Sequence, residues 1–254
     1  GHRDWHGVVV HFRGCSGEPN RLARAYHSGD SAEIDWVLRR LRGEQHGQLF
    51  AVGISLGGNA LLKWLGEQGG AACQVVAAAA AISAPLNLAA ADAALSRGVN
   101  RLYARHFLRT LIPKALAKLE HFPGLYSAVA VRAARTLRDF DQVVTAPLHG
   151  FSDAADYYAR SSAGQYLAGI GVKTLLVNAL NDPFLPAAAL SAAAAGTDSD
   201  PSAGAAPAKA LVVGPVLRRC TPPTRVAEMR LVSSSISAIR SRSIATATSP
   251  SWRI

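Results

Sequence analysis

Leu49-Phe50-Ala51-Val52-Gly53-Ile54-Ser55-Leu56-Gly57-Gly58-Asn59-Ala60-Leu61-Leu62 is the stretch that decides the fold. An apolar run leads into a G-x-S-x-G turn, and Ala60, Leu61, Leu62, Trp64 and Leu65 then follow at helical spacing. This is the pattern of a strand, a sharp turn and a helix. Gly53 and Gly57 give such a turn room, while Ser55 is held in a strained backbone conformation with its hydroxyl exposed. Gly58 lets the helix pack closely on the sheet. The helix behind the serine aims its first N–H groups, and the positive end of its dipole, at the point where an oxyanion forms. The N–H of Leu56 is the natural first donor, and Ser55 reads as a nucleophile for acyl transfer. In a chain with 22 glycines the same letters also fit an ordinary turn. The strand before and the helix after favour the nucleophile.

Working outward, Gly7–Phe12 (GVVVHF) predicts a short buried strand, followed by a turn-rich loop from Arg13 to Asn20. Asp30 with Glu33 resembles a capping pair, ahead of Ile34, Val37, Leu38 and Leu41 at helical spacing. Val75–Ile82 predicts the strand after the Ser55 helix. Alternation of strands and helices, with strands of the fully buried type, implies a mostly parallel sheet with helices on both faces. From about residue 86 to 165 the pattern is helical, over Leu102–Leu119, Ala128–Phe140 and Ala154–Ser161. That stretch is the expected cap, inserted after the third strand and divided into several short helices by Pro113 and Phe122-Pro123-Gly124. The sheet resumes at Thr174–Ala179, ahead of the turn Asn181-Asp182-Pro183-Phe184.

At 254 residues the chain suits a single α/β domain with an inserted cap. No stretch has the makings of a signal peptide or reaches membrane-spanning length. Cys15, Cys73 and Cys220 are odd in number and widely spaced, which argues against a disulfide framework or a thiolate metal site and suits a reducing cytoplasm. The only methionine is Met229, so the chain opens at Gly1 without an initiator and reads as a fragment. Of the net charge of +10, most lies beyond Pro201, where eight basic residues face only Glu228. That tail lacks aromatic interleaving, and nucleic-acid binding is not expected. Residues 187–254 have no stable periodicity beyond a possible strand at Leu211–Val216. They read as a disordered or out-of-frame tail on a core of residues 1–186.

Several longer stretches point further. HFRGCSGEPNR (His11–Arg21), YHSGD (Tyr26–Asp30), GISLGGN (Gly53–Asn59), SAP (Ser83–Pro85), DFDQVVTAPLHGFSDAADYY (Asp139–Tyr158) and NDPF (Asn181–Phe184) resemble, in order and spacing, the YheT-like branch of the α/β-hydrolase superfamily. The resemblance covers about residues 1–186. It implies an α/β-hydrolase fold and a hydrolase of carboxylic esters with short or medium acyl chains, acting without a cofactor on a small-molecule ester. By the same resemblance Ser55 matches the nucleophile and Asp182 the acid of a catalytic triad. Asp182 also has a physical case, because it follows a parallel strand at the edge where open α/β sheets gather functional groups. The plainer reading is an Asn-Asp-Pro turn whose carboxylate bonds backbone N–H groups.

One part of the pattern is missing. This fold carries its histidine after the acid, yet His2, His6, His11, His27, His46, His106, His121 and His149 all precede Asp182. Without an imidazole to take its proton, a serine hydroxyl is a weak nucleophile near neutral pH. His149 and His11 are the nearest substitutes, and both are expected to be local polar contacts. Three readings follow: a serine esterase with impaired turnover, a non-catalytic binding protein on the same scaffold, or an acyltransferase.

Overall fold

The computed structural model describes residues 6–44, 47–190 and 209–213. Residues 21–216 belong to one compact unit and residues 6–20 to another, so the two are described separately. In the smaller one, Gly7–Phe12 is irregular rather than a strand, and Val8, Val9 and Val10 are exposed. β-branched residues suit a pleated, half-buried surface, but they do not supply the neighbouring strand that such a surface needs. The turn that follows forms as read, with Gly14 at φ 68° and Cys15 N–H donating to Phe12 O at 2.9 Å.

In the larger unit, helix α1 (Ser31–Glu44) precedes strand β1 (Phe50–Ile54), helix α2 (Leu56–Gln68) and strand β2 (Ala78–Ile82). Strand β3 is Thr174–Ala179, as read from the sequence, and β4 is Lys209–Val213, overlapping the expected Leu211–Val216. The other residues beyond Leu190 lie outside the described residues, and with them the disordered or out-of-frame tail. All pairings are parallel, in the order β1-β2-β3-β4, with Ile54 opposite Ile82 and Ile82 opposite Val177. The ends of β1, β2 and β3 therefore share one edge of the sheet.

The core forms where α2 lies on the sheet. Leu61, Leu62, Trp64 and Leu65 are buried against Ala51, Val76, Ala79, Ala81 and Leu176. Strand β2 begins with four alanines, so little side chain separates the helix from the backbone. Trp64 keeps its indole N–H satisfied by donating to Asp35 Oδ1 of α1 at 2.8 Å. Asp30 does more than sit ahead of α1: both its carboxylate oxygens accept from Arg24 Nη2, at 2.7 and 2.8 Å.

Between β2 and β3 the described elements are helical: α3 (Leu88–Leu95), α4 (Asn100–His121), α5 (Ala128–Ala133), α6 (Leu137–Phe140), a π-turn (Asp141–Thr145), α7 (Ala146–Leu148), α8 (Ala154–Ser161) and a 3₁₀ segment (Ala163–Gly169). Pro113 does not divide α4, which runs through it for 22 residues. A proline removes one helical hydrogen bond and strains one turn, and Leu108, Ala115 and Val131 pack tightly enough across the site to hold the helix together. The break falls at the second expected place, where Phe122 leaves helical geometry and Gly124 has φ 87°. The helix expected over Ala128–Phe140 is split at Ala134, where the chain turns extended before Thr136 starts α6 with a capping box to Asp139.

Candidate active site

Ser55 stands between the last residue of β1 and the first of α2, with φ 52° and ψ −122°. A positive φ on a non-glycine residue is a strained state that persists only when its surroundings enforce it. Here the Ser55 N–H donates to Ile82 O of β2 at 2.8 Å, and Ser55 O accepts from Asn59 N–H at 3.1 Å. The residue is exposed, and its hydroxyl makes no capping hydrogen bond to α2. Leu56 opens the helix, so its N–H belongs to the first turn, where no intrahelical acceptor exists. Close packing accounts for two glycines. A Cβ on Gly53 would stand 2.5 Å from Gly57 O, and one on Gly58 would stand 2.9 Å from the Ala84 Cβ.

A second strained serine lies alongside. Ser83, after β2, has φ 50°, and its N–H donates to Val177 O at 2.8 Å. Asn178 of β3 holds the same turn by donating from Nδ2 to Ala84 O at 2.9 Å. Asp182 follows β3 at the same edge of the sheet. Strand spacing puts the ends of β1 and β3 about 10 Å apart, two steps across the sheet. The Asp182 Oδ1 accepts from Phe184 N–H at 2.9 Å, which is the turn-stabilising contact of the plainer reading. Asn100 of α4 donates to Pro183 O at 2.7 Å, and Tyr103 packs edge-on to Phe184 at 5.0 Å, fastening this loop to the cap.

Asn59 is a residue whose role the motif did not disclose. It is fully buried one turn after Ser55. Its Nδ2 donates to Ser28 O at 2.8 Å and to Ser161 O at 2.7 Å, and its Oδ1 accepts from Ala163 N–H at 2.9 Å. One side chain thus ties the Ser55 helix to the YHSGD segment and to the exit from the cap. Its position as the last residue of GISLGGN was the only available signal.

Ser28 is neighboured by His27, whose ring centroid lies 4.4 Å from that of His149. Phe151 and Tyr157 close around His27 at 5.7 and 5.8 Å, and the Tyr157 hydroxyl accepts from Ser28 N–H at 2.9 Å. Burial, reinforced by the facing His149, pulls the His27 pKa down to about 4. Burial also lowers the pKa of His149, whose Nε2 is buried without a hydrogen-bond partner among the described residues. Both rings are neutral at pH 7. His149 is therefore part of an aromatic cluster, and His11 is exposed in the segment 6–20. Among the described residues no group of three or more His, Cys, Asp or Glu side chains is placed to hold a metal ion. No helix of the described residues is long and apolar enough to cross a membrane.

A parallel sheet with a strained serine between strand and helix, and a helical insertion before the next strand, defines a class. The chain belongs to the alpha/beta hydrolase fold family, whose pattern matches residues 2–201. Within it the chain is YheT-like. It is 43% identical over 186 residues to YheT of Escherichia coli (strain K12), an esterase by name, covering 72% of this chain and 54% of that protein. It is 31% identical over 185 residues to the Mus musculus protein named phospholipase ABHD3, covering 72% of this chain and 44% of the other. The chain thus spans about half the length of the curated relatives it matches. Among solved structures, the esterase EaEST from Exiguobacterium antarcticum aligns over 91% of this chain and 80% of its own, with 15% identity and a TM-score of 0.43. By name these two relatives are an esterase and a phospholipase.

Proposed function

We propose that the protein cleaves carboxylic esters of short or medium acyl chain through Ser55, and that turnover by these 254 residues is impaired by the want of an imidazole on the far side of Asp182. The observation that carries this reading is the backbone of Ser55, strained at φ 52° and hydrogen-bonded on both sides while its hydroxyl stays uncommitted to the helix. In this reading the Ser55 Oγ attacks the ester carbonyl and its proton passes to a base. The Leu56 N–H donates to the oxyanion, the alcohol leaves, and water then releases the acid from the acyl-serine. Asp182 is the carboxylate to orient and stabilise an imidazolium that takes the proton, and in these residues that imidazole is the missing part. The names of the relatives support ester substrates.

Chemical rescue tests this reading. Free imidazole in the buffer replaces a missing general base, so hydrolysis of p-nitrophenyl butyrate by the parent should rise with imidazole above the background of Ser55→Ala. A turnover already high without imidazole would contradict the impairment. Identical rates in the parent and Ser55→Ala, at every imidazole concentration, would contradict the role of Ser55. The same result would favour the second reading, a binding protein on this scaffold, for which the position of all eight histidines before Asp182 is the supporting observation.

A further inference from the structure

The cap holds a cavity of about 610 Å³ between α4, the end of α3 and the turn joining α5 to α6. Neither Ser55, Leu56 nor Asp182 lines it. Its floor is apolar, with Leu108 and Ile112 of α4, and its rim carries Arg101, Arg105, Arg109 and Arg135. Among the described residues no carboxylate lines the cavity.

Three of these arginines lie on one helix at steps of four residues, so their positions form a single stripe along it. Like charges at this spacing destabilise a helix, whereas four pairs among the described residues carry opposite charges at the same spacing. Asp35 pairs with Arg39 at 2.8 Å, Arg40 with Glu44 at 3.1 Å and Asp156 with Arg160 at 3.3 Å, and Lys63 pairs with Glu67. Arg101, Arg105 and Arg109 make no ion pair with the described residues. Asp139, in α6, spends Oδ2 on the N–H groups of Arg135 and Thr136, each at 2.9 Å, and its charge attracts Arg135, whose Nη1 donates to Arg132 O and Ala134 O; the stripe on α4 is apart from this pair. Among the described residues no carboxylate pairs with the stripe, which lies above an apolar floor.

We propose that this cavity binds a single-chain alkyl phosphate, with the phosphate held by the arginine rim and the chain laid over Leu108 and Ile112. Guanidinium groups match phosphate oxygens in a planar, two-point geometry. The α-helical rise puts successive arginines about 6 Å apart, so at least two of them reach one phosphate while a dianion offsets more of the repulsion than a carboxylate does. The volume lies within the range of pockets that take one small ligand. The proposal is independent of the chemistry at Ser55, because the site is separate and its readout is binding.

Titration calorimetry with dodecyl phosphate, kept below its micellar concentration, tests it. The expected result is saturable one-to-one binding, at least tenfold tighter than for inorganic phosphate, dodecanol or dodecanoate. Arg105→Gln with Arg109→Gln should weaken binding at least tenfold while leaving the melting temperature within a few degrees. Arg40→Gln, on α1, should change nothing. Absence of binding, or equal binding by the double variant, would overturn the site. Dodecanol binding as tightly as dodecyl phosphate would overturn the role of the rim, and dodecanoate doing so would overturn the choice of phosphate. Inorganic phosphate matching dodecyl phosphate would overturn the role of the floor.

Discussion

Replacing Asn59 with leucine removes three buried hydrogen bonds with little change in side-chain size. Two carbonyls, Ser28 O and Ser161 O, and one N–H, that of Ala163, lose their partner in a position that water does not reach. A buried polar group left unpaired costs about 1–3 kcal/mol. Three such groups at the low end of that range, offset by about 1 kcal/mol of added apolar burial, give a net loss of about 2 kcal/mol. For a unit of this size that corresponds to a fall in melting temperature of about 4–8 °C. Asn59→Asp keeps the shape but turns acceptor oxygens toward Ser28 O and Ser161 O. It should be worse than leucine at neutral pH and recover on acidification, as the buried carboxyl takes up a proton. Scanning calorimetry of the two variants and the parent between pH 5 and 8 measures both effects. Asn59→Leu within about 1 kcal/mol of the parent would refute the reasoning, because the side chain would then not be clamping the Ser55 helix.

The remaining expectations concern the turn, the cap and pH. Gly58→Val should abolish labelling of Ser55 by a serine-directed phosphonate, because even a Cβ there meets the Ala84 Cβ at 2.9 Å; retained labelling would show that the close approach is dispensable. Pro113→Ala restores an N–H to the interior of α4 and should stabilise the protein by about 1–3 kcal/mol in urea unfolding; no gain would show that α4 bears no strain there. Burial raises the Asp141 carboxyl from 3.8 to about 6, even with Thr145 and Tyr158 donating to it. The native state keeps that proton while the unfolded state releases it, so this group lowers stability as pH rises from about 4 to about 6, by about 3 kcal/mol in all. Asn in its place should remove that slope. His27 works in the opposite sense: held neutral down to about 4, it costs stability as pH falls from 6.5 toward 4, and His27→Phe should remove that loss. Melting curves against pH that are unchanged in both variants would contradict these assignments.

The turn at Ser55 was legible because it is local: glycines at fixed offsets, an apolar run before and a helical pattern after are all within about twenty residues. The same locality made Thr174–Ala179 and Ala154–Ser161 readable to the residue. GVVVHF misled, since its composition speaks for a strand while strand formation depends on a neighbour that composition does not reveal. Pro113 misled in the other direction, because cap packing outweighed a local penalty. Asn59 could not be assigned from the chain: its partners lie 31, 102 and 104 residues away, and only folding brings them together. The pairing of His27 with His149 was hidden for the same reason. The arginine stripe, by contrast, was in plain sight at Arg101, Arg105 and Arg109, and a net charge summed over 200 residues concealed it.

The proposed chemistry rests on the Ser55 hydroxyl being presented for attack, and covalent capture reads that most directly. The folded chain, incubated with a fluorophosphonate in the presence and absence of imidazole, should be modified at Ser55, faster with imidazole, as located by peptide mass mapping. Ser55→Ala should take up no reagent. A folded parent that stays unmodified even with imidazole, or a Ser55→Ala variant modified equally well, would contradict the account.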